Sequence, residues 1–283
     1  MPRVIGPTIP RWTLGKELRE MREAAGKTRD EVAANFDWSE GKVRTIELGQ
    51  VGLDKPDLAA LLAFYGQSGK AAELDELRRQ SKERGYWVKY GPISKQYANY
   101  IGLESAAQNV KAFDLAVING LLQTEDYARA VITATRPDSR PEENERLVKL
   151  RTARQDRLTG DDPVRCWAIM DEAALRRVIG GPAVMRAQCQ RLLELTELPN
   201  IQIQVLPFKA GAHPGTLGSF TILEFPAGLR PPAVYVEGQG GDIYLEKDED
   251  LHRCTLSYTH MCAAALSQAD SGRLIAAIAR ELA

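Results

Sequence analysis

TRDEVAANFDWSEGKVRTIELG, residues 28–49, is the stretch on which the fold turns. Thr28 followed three residues later by Glu31 is a capping box, in which each residue satisfies the other's unpaired amide at a helix start. Val32, Ala33 and Phe36 then give a short apolar face at helical spacing. Ser39 caps a second helix, Val43 and Ile46 point inward from it, and Gly49 closes it in the left-handed conformation open to glycine. Only the passage Asn35-Phe36-Asp37-Trp38 separates the two. Two short capped helices around so tight a turn predict a helix-turn-helix, whose second helix lies in the DNA major groove with its N-terminal residues at base edges.

The flanks extend this into a five-helix head. Upstream, Leu14, Leu18, Met21 and Ala25 fall at helical spacing, with a charged wet side, and Gly26 stops the helix. Downstream, Asp54-Lys55-Pro56-Asp57 opens a fourth helix, since proline is tolerated where amides lack helical partners. Leu58, Leu61, Leu62 and Tyr65 are its buried stripe. Residues 69–84 read as a charged linker helix anchored by Leu74 and Leu77. The domain boundary falls at residue 85, before an aromatic tract of Tyr86, Trp87, Tyr90, Tyr97 and Tyr100. Those aromatics suit a junction between domains or an aromatic-lined pocket better than base stacking.

Residues 86–283 mix both periodicities, which predicts an α+β domain with a small mixed or antiparallel sheet flanked by helices. Segments 106–114, 123–135, 142–158, 172–179 and 183–198 read as helices, and 164–170 as a strand. Ile201, Ile203 and Val205 alternate with glutamines, as in a half-buried strand. Segments 219–225 and 233–237 are further strands. Gly238-Gln239-Gly240-Gly241-Asp242 is a turn into a strand at 243–246, so this pair is a hairpin. Two helices, at 250–266 and 271–282, finish the chain.

The 283 residues carry 37 basic and 38 acidic side chains, a net charge of -1. That balance excludes a purely electrostatic nucleic-acid binder but leaves room for a local basic face. Residues 1–7 lack the apolar core of an export signal, no run is long enough for a membrane helix, and four scattered cysteines suit reduced thiols. These features predict a cytoplasmic protein with no membrane partner.

With Val43 and Ile46 inward, Glu40, Gly41, Lys42, Arg44 and Thr45 face outward beside the caps Thr28 and Ser39. Arg44 suits a bidentate contact to guanine and Lys42 a guanine or a phosphate. Gly41 lets backbone approach DNA, and Glu40 suits a cytosine amino group or repels phosphate. His252, Cys254, His260 and Cys262 look like two metal half-sites, but on a helix residues two apart diverge and cannot share an ion. His213 beside Ser219 lacks a nucleophile elbow and reads as a polar loop residue. The glycines at 238, 240 and 241 lack a P-loop setting. We therefore expect no metal, no cofactor and no catalytic centre.

Residues 27–33 (KTRDEVA), Trp38-Ser39 and residues 43–49 (VRTIELG) resemble the lambda-repressor/Cro-like (Xre) helix-turn-helix family. Arg29 stands where that family has an operator-contacting glutamine, which implies a contact from Arg29 and an altered target. Glu47 matches a position that pairs with a helix-one arginine, here Arg19 or Arg22. Residues 120–129 (GLLQTEDYAR), Arg154-Gln155, residues 171–176 (DEAALR), Gln202, residues 205–208 (VLPF) and Tyr235-Val236-Glu237 are similar to the C-terminal domain of actinobacterial WhiJ-like regulators. Asn119 replaces a proline and Cys189 a leucine of that pattern. The resemblance implies a transcriptional regulator that works beside a small protein encoded by an adjacent gene.

The expectation is thus a DNA-binding repressor, homodimeric on a pseudo-palindromic operator, whose second domain receives a protein partner more readily than a small molecule. One alternative is an enzyme on the second domain with the head as a targeting module; another is a protein-interaction adaptor.

Overall fold

The computed structural model describes residues 6–238 and 241–282. Its head consists of α1 (Thr8–Ala24), α2 (Arg29–Phe36), α3 (Glu40–Glu47), α4 (Lys55–Phe64) and α5 (Ala71–Gln80). Local chemistry sets the boundaries. The Thr28 hydroxyl accepts from the Glu31 amide at 3.2 Å, and the Glu31 carboxylate accepts from the Thr28 amide at 2.7 Å. The Ser39 hydroxyl accepts from the Lys42 amide at 3.1 Å. Leu14, Leu18, Val32, Val43, Ile46 and Leu62 meet in one apolar core. The linker helix is shorter than the expected 69–84: a single 3-10 turn (Ser68–Lys70) precedes α5, and the helix ends at Gln80.

Two glycines let α1 and the end of α3 touch backbone to backbone. A Cβ on Gly15 would lie 2.5 Å from the Ile46 carbonyl oxygen, and one on Gly49, at φ 64°, 2.6 Å from Trp12 Cα. Gly15→Ala is therefore expected to destabilise the chain by about 1–3 kcal/mol, because neither backbone can yield without disturbing the core. Chemical denaturation checks this; an unchanged midpoint would refute the close approach.

The second domain begins with a 3-10 turn (Tyr86–Tyr90) and α6 (Lys95–Ala106), capped by Ser94. It continues through β1 (Asn109–Asp114), α7 (Glu125–Thr135), α8 (Pro141–Arg154), β2 (Arg165–Asp171), α9 (Glu172–Arg176), α10 (Pro182–Leu195) and β3 (Ile201–Leu206). Then come β4 (Phe220–Glu224), β5 (Ala233–Val236), β6 (Ile243–Leu245), α11 (Asp248–Ala264) and α12 (Gln268–Glu281). The sheet runs β3-β2-β1-β4-β5-β6, parallel from β1 to β3 and antiparallel from β1 to β6. Strand alternation feeds two cores. Val110, Ala168, Ile203, Leu223 and Tyr235 join the larger, with Leu192 of α10 and Ile275 of α12. Phe113, Ile169, Leu206, Ile222 and Val234 face the smaller, which Tyr258 and Met261 of α11 close.

The helix expected at 106–114 is instead β1, the strand shared by the parallel and antiparallel halves. Four of its six side chains are buried, on both sheet faces, so apolar–polar alternation nearly vanishes, and the partly buried Lys111 pairs with Glu224 at 2.6 Å. The neighbouring helix α6 lies in the aromatic tract, where Tyr97, Tyr100, Ile101 and Glu104 hold helical spacing. β5 and β6 do pair as a hairpin. Gln239 and Gly240 of its expected turn, and residues 1–5 of the expected leaderless start, lie outside the described residues.

α1 links the two parts. Its C-terminal half carries the head core, while Ile9 packs in the larger core of the second domain with Trp87, Tyr100 and Ile101. A Cβ on Gly102 of α6 would fall 1.9 Å from Thr8 Oγ1, so these helices also cross closely. The Arg230 guanidinium sits 4.2 Å from the Trp12 ring centroid, and Arg11 donates to the Ser81 carbonyl at 3.1 Å. Among the described residues no helix is long and apolar enough to cross a membrane.

Candidate nucleic-acid interface

α2 and α3 are held at a fixed angle by their turn and by one buried acid. Asp37 takes the left-handed conformation, φ 53°, which aspartate tolerates better than most residues, and Trp38 then donates its amide to the Ala33 carbonyl at 2.9 Å. Phe36 packs against the Trp38 ring, centroids 5.1 Å apart, and edge-on against Phe64 of α4. Glu47, at the end of α3, accepts from Arg22 of α1 at 2.5 Å and from Arg29 of α2 at 2.8 Å. Its side chain is 2% exposed and that of Arg22 8%. The hydrogen bond to Glu47 raises the Arg22 pKa, which keeps the guanidinium charged despite burial. Arg22 also donates to the Lys27 carbonyl at 2.7 Å, so one residue ties α1, the loop before α2, and α3. Arg19, the other candidate partner for Glu47, pairs with Glu23 instead.

The eight sequence-selected residues fall on one side of α2 and α3, but they are not equivalent. Thr28 and Ser39 are exposed caps whose hydroxyls are occupied by backbone amides. Arg29 is only half-exposed: Glu47 binds its Nε, and Glu40 lies 3.8 Å from Nη1. It is thus drawn across the face of α3 rather than extended from α2. Lys42 lies over the Trp38 ring with Nζ 3.6 Å from the centroid. Reaching a phosphate means leaving an aromatic face that attracts the cation. Thr45 donates to the Lys42 carbonyl at 2.9 Å. Glu40, Gly41 and Arg44 are exposed, and among the described residues Arg44 has no ion-pair partner. Arg44 is consequently the side chain on α3 readiest to extend to a base edge.

Sequence reasoning overlooked the Trp38 platform and the pairing of Arg29 with Glu47. The first had a local signal, Trp38 four residues before Lys42. The second had none, because it joins residues 18 apart through the tertiary angle of two helices.

Elsewhere, His252, Cys254, His260 and Cys262 all lie on α11, a continuous helix. His213 lies in a loop, as expected, but it is not a solvated side chain. Its side chain is 8% exposed, Nε2 lies 3.2 Å from Asp171 Oδ2, and its ring packs edge-on against Phe113. Nδ1 is buried and has no hydrogen-bond partner among the described residues. Ser219 is engaged in the backbone, accepting from the Leu115 amide at 2.9 Å.

Residues 13–79 match a family model described as a helix-turn-helix domain. Residues 97–277 match one described as a domain of unknown function (DUF5753). No curated protein and no solved structure matches the chain.

Proposed function

The chain belongs to the family defined by the domain of unknown function DUF5753 and carries a helix-turn-helix head, and from this premise we propose that it is a sequence-specific transcriptional repressor of the Xre type. The observation that carries the reading is Arg44, exposed and unpaired among the described residues, on a capped helix that Glu47 holds rigidly against its neighbours. Rigid presentation matters because base readout needs a side chain held in register, whereas phosphate contacts only position the protein. Arg44 reads a base, Lys42 leaves the Trp38 ring to meet a guanine or a phosphate, the N-terminal turns of α2 and α3 lie against phosphates, and Arg29 orients α3 through Glu47.

A head of this size buries too little surface for strong specificity on its own, so the working unit is a homodimer on a pseudo-palindrome. The second domain is the input, as in the actinobacterial regulators it resembles. A signal there alters DNA affinity by favouring one arrangement of α1 against α6 over another. The enzyme alternative has its best footing in His213 and Asp171, but no hydroxyl or thiol bonds to that histidine among the described residues.

The test is selection of duplexes from a random pool with the full chain, followed by footprinting and mass measurement of the complex. The expected outcome is one enriched inverted repeat, half-sites about one helical turn apart, bound by two chains. No enrichment over the starting pool would refute sequence-specific binding; a single chain on a single half-site would refute the dimer.

A further inference from the structure

A cavity of about 260 Å³ opens in the second domain at the carboxyl end of β1. The chain leaves β1 for β2 on one side and returns to β4 on the other, so this is the point where strand order reverses. In open α/β sheets such a point is where ligands enter. The volume is just below the ~300–1,000 Å³ of ordinary ligand pockets, which favours a small molecule over a large one.

Two opposite charges set back from the exposed Glu237 in the lining, Asp114 and Arg151, have no ion-pair partner among the described residues. Asp114 ends β1 and is 5% exposed. One carboxylate oxygen accepts the Asn119 amide at 2.9 Å, and no cationic side chain pairs with it among the described residues. Burial raises its pKa to about 7, the response of an acid with nothing positive to hold it down. The ionisable groups that feel its field are Tyr127 on α7, Cys166 on β2 and Tyr258 on α11, and none is a cation. Arg151 on α8 lines the same cavity. Its Nη1 donates to Gln123 Oε1 at 3.0 Å, its Nε is buried without an acceptor, and no carboxylate pairs with it among the described residues. Arg154, one turn on, shows the contrast, for Glu104 grips it at 2.7 and 2.6 Å. An isolated buried charge is costly, and the buried Asp114 and the partly buried Arg151 do not meet; Glu237, the other carboxylate of the lining, is exposed to solvent.

We propose that the cavity binds a small zwitterion of amino-acid type, its ammonium on Asp114, its carboxylate on Arg151 and its apolar side chain among Tyr100, Phe113, Phe220 and Tyr235. Arginine suits the carboxylate because its planar fork matches two oxygens. This deepens the reading of the second domain as the input and rests on it. The Tyr235 ring packs at a tilt against Tyr100, centroids 4.1 Å apart, and against Tyr244, 5.4 Å apart, and Tyr244 donates to the Gln96 carbonyl on α6, the helix that α1 crosses. An occupant is thus within a few side chains of the head.

Calorimetric titration of the full chain without DNA, at pH 8, tests this. At least one apolar proteinogenic amino acid is expected to bind, and its decarboxylated and deaminated analogues to bind about tenfold more weakly or worse. Asp114→Asn should weaken the amino acid and the amine by a similar factor and leave the deaminated acid unchanged; Arg151→Gln should do the reverse. No amino acid binding at millimolar concentration, or analogues binding as well as the parent, would overturn the proposal. The analogue comparison needs no variant, so it stands even if a substituted chain fails to fold. Because no DNA is present, failure here leaves the DNA-binding reading intact.

Discussion

Glu47→Ala is expected to lower the stability of the head by about 3–5 kcal/mol, the cost of leaving a buried charge without its partner. Glu47 is the common acceptor for Arg22 and Arg29, and the Arg22 side chain is only 8% exposed. Alanine would leave that largely buried guanidinium beside the head core with only the Lys27 carbonyl, at 2.7 Å, and the half-exposed Glu23 carboxylate, at 3.2 Å, as acceptors. Glu47→Gln keeps the shape and one acceptor oxygen, so its loss should be smaller. The effect on DNA binding should follow from position rather than contact: α3 loses the acid that sets its angle to α1 and α2. Denaturation of both variants in urea checks the order. A loss below about 1 kcal/mol for alanine would mean the pair is worth no more than a surface ion pair.

The second large effect concerns acidity. Asp114 titrates near pH 7 in the folded chain and near 3.8 when unfolded. Between those values the folded chain holds a proton that the unfolded chain has released, so stability falls as pH rises through the window. Above pH 7 the penalty is complete. Roughly three units at about 1.4 kcal/mol each amount to about 4 kcal/mol, of which about half lies between pH 5 and pH 7. Tyr127, Cys166 and Tyr258, the ionisable groups around it, stay neutral there, since burial raises each of them further. Asp114→Asn should remove the slope and leave the chain more stable than the parent at pH 8. Thermal melts at pH 5 and pH 8 decide this; equal pH dependence in both proteins would contradict it.

Both predictions rest on contacts that were unevenly legible in the sequence. The helix boundaries of the head were legible because caps and glycine stops act within four residues: Thr28 with Glu31, Ser39 with the Lys42 amide, and Gly49 in its turn. The inward positions Val43 and Ile46 followed from spacing alone. Side-chain fates did not follow. Arg29 and Lys42 look outward on a helical projection, yet one is held by an acid at the far end of α3 and the other by an indole ring. In the second domain, β1 was read as helix because Ala106, Ala107 and Ala112 favour one and burial on both faces erased the alternation. That error hid Asp114, since its meaning depends on ending a strand beside a cavity. Arg151 was hidden differently, as one basic residue on a helix full of charges. His213 meets an acid 42 residues earlier, a pairing that no local pattern announces.

The central claim is that α3 reads base sequence, and Arg44→Ala tests it most directly. Arg44 is exposed and has no ion-pair partner among the described residues, so alanine should leave the fold intact. Affinities of the parent and the variant are measured on the selected inverted repeat and on random duplex, at one fixed salt concentration. Loss of a bidentate contact to guanine should cost about 1–3 kcal/mol on the selected site and far less on random DNA, relaxing preference at one base pair of each half-site. An equal loss on both duplexes would make Arg44 a phosphate contact and contradict readout by α3.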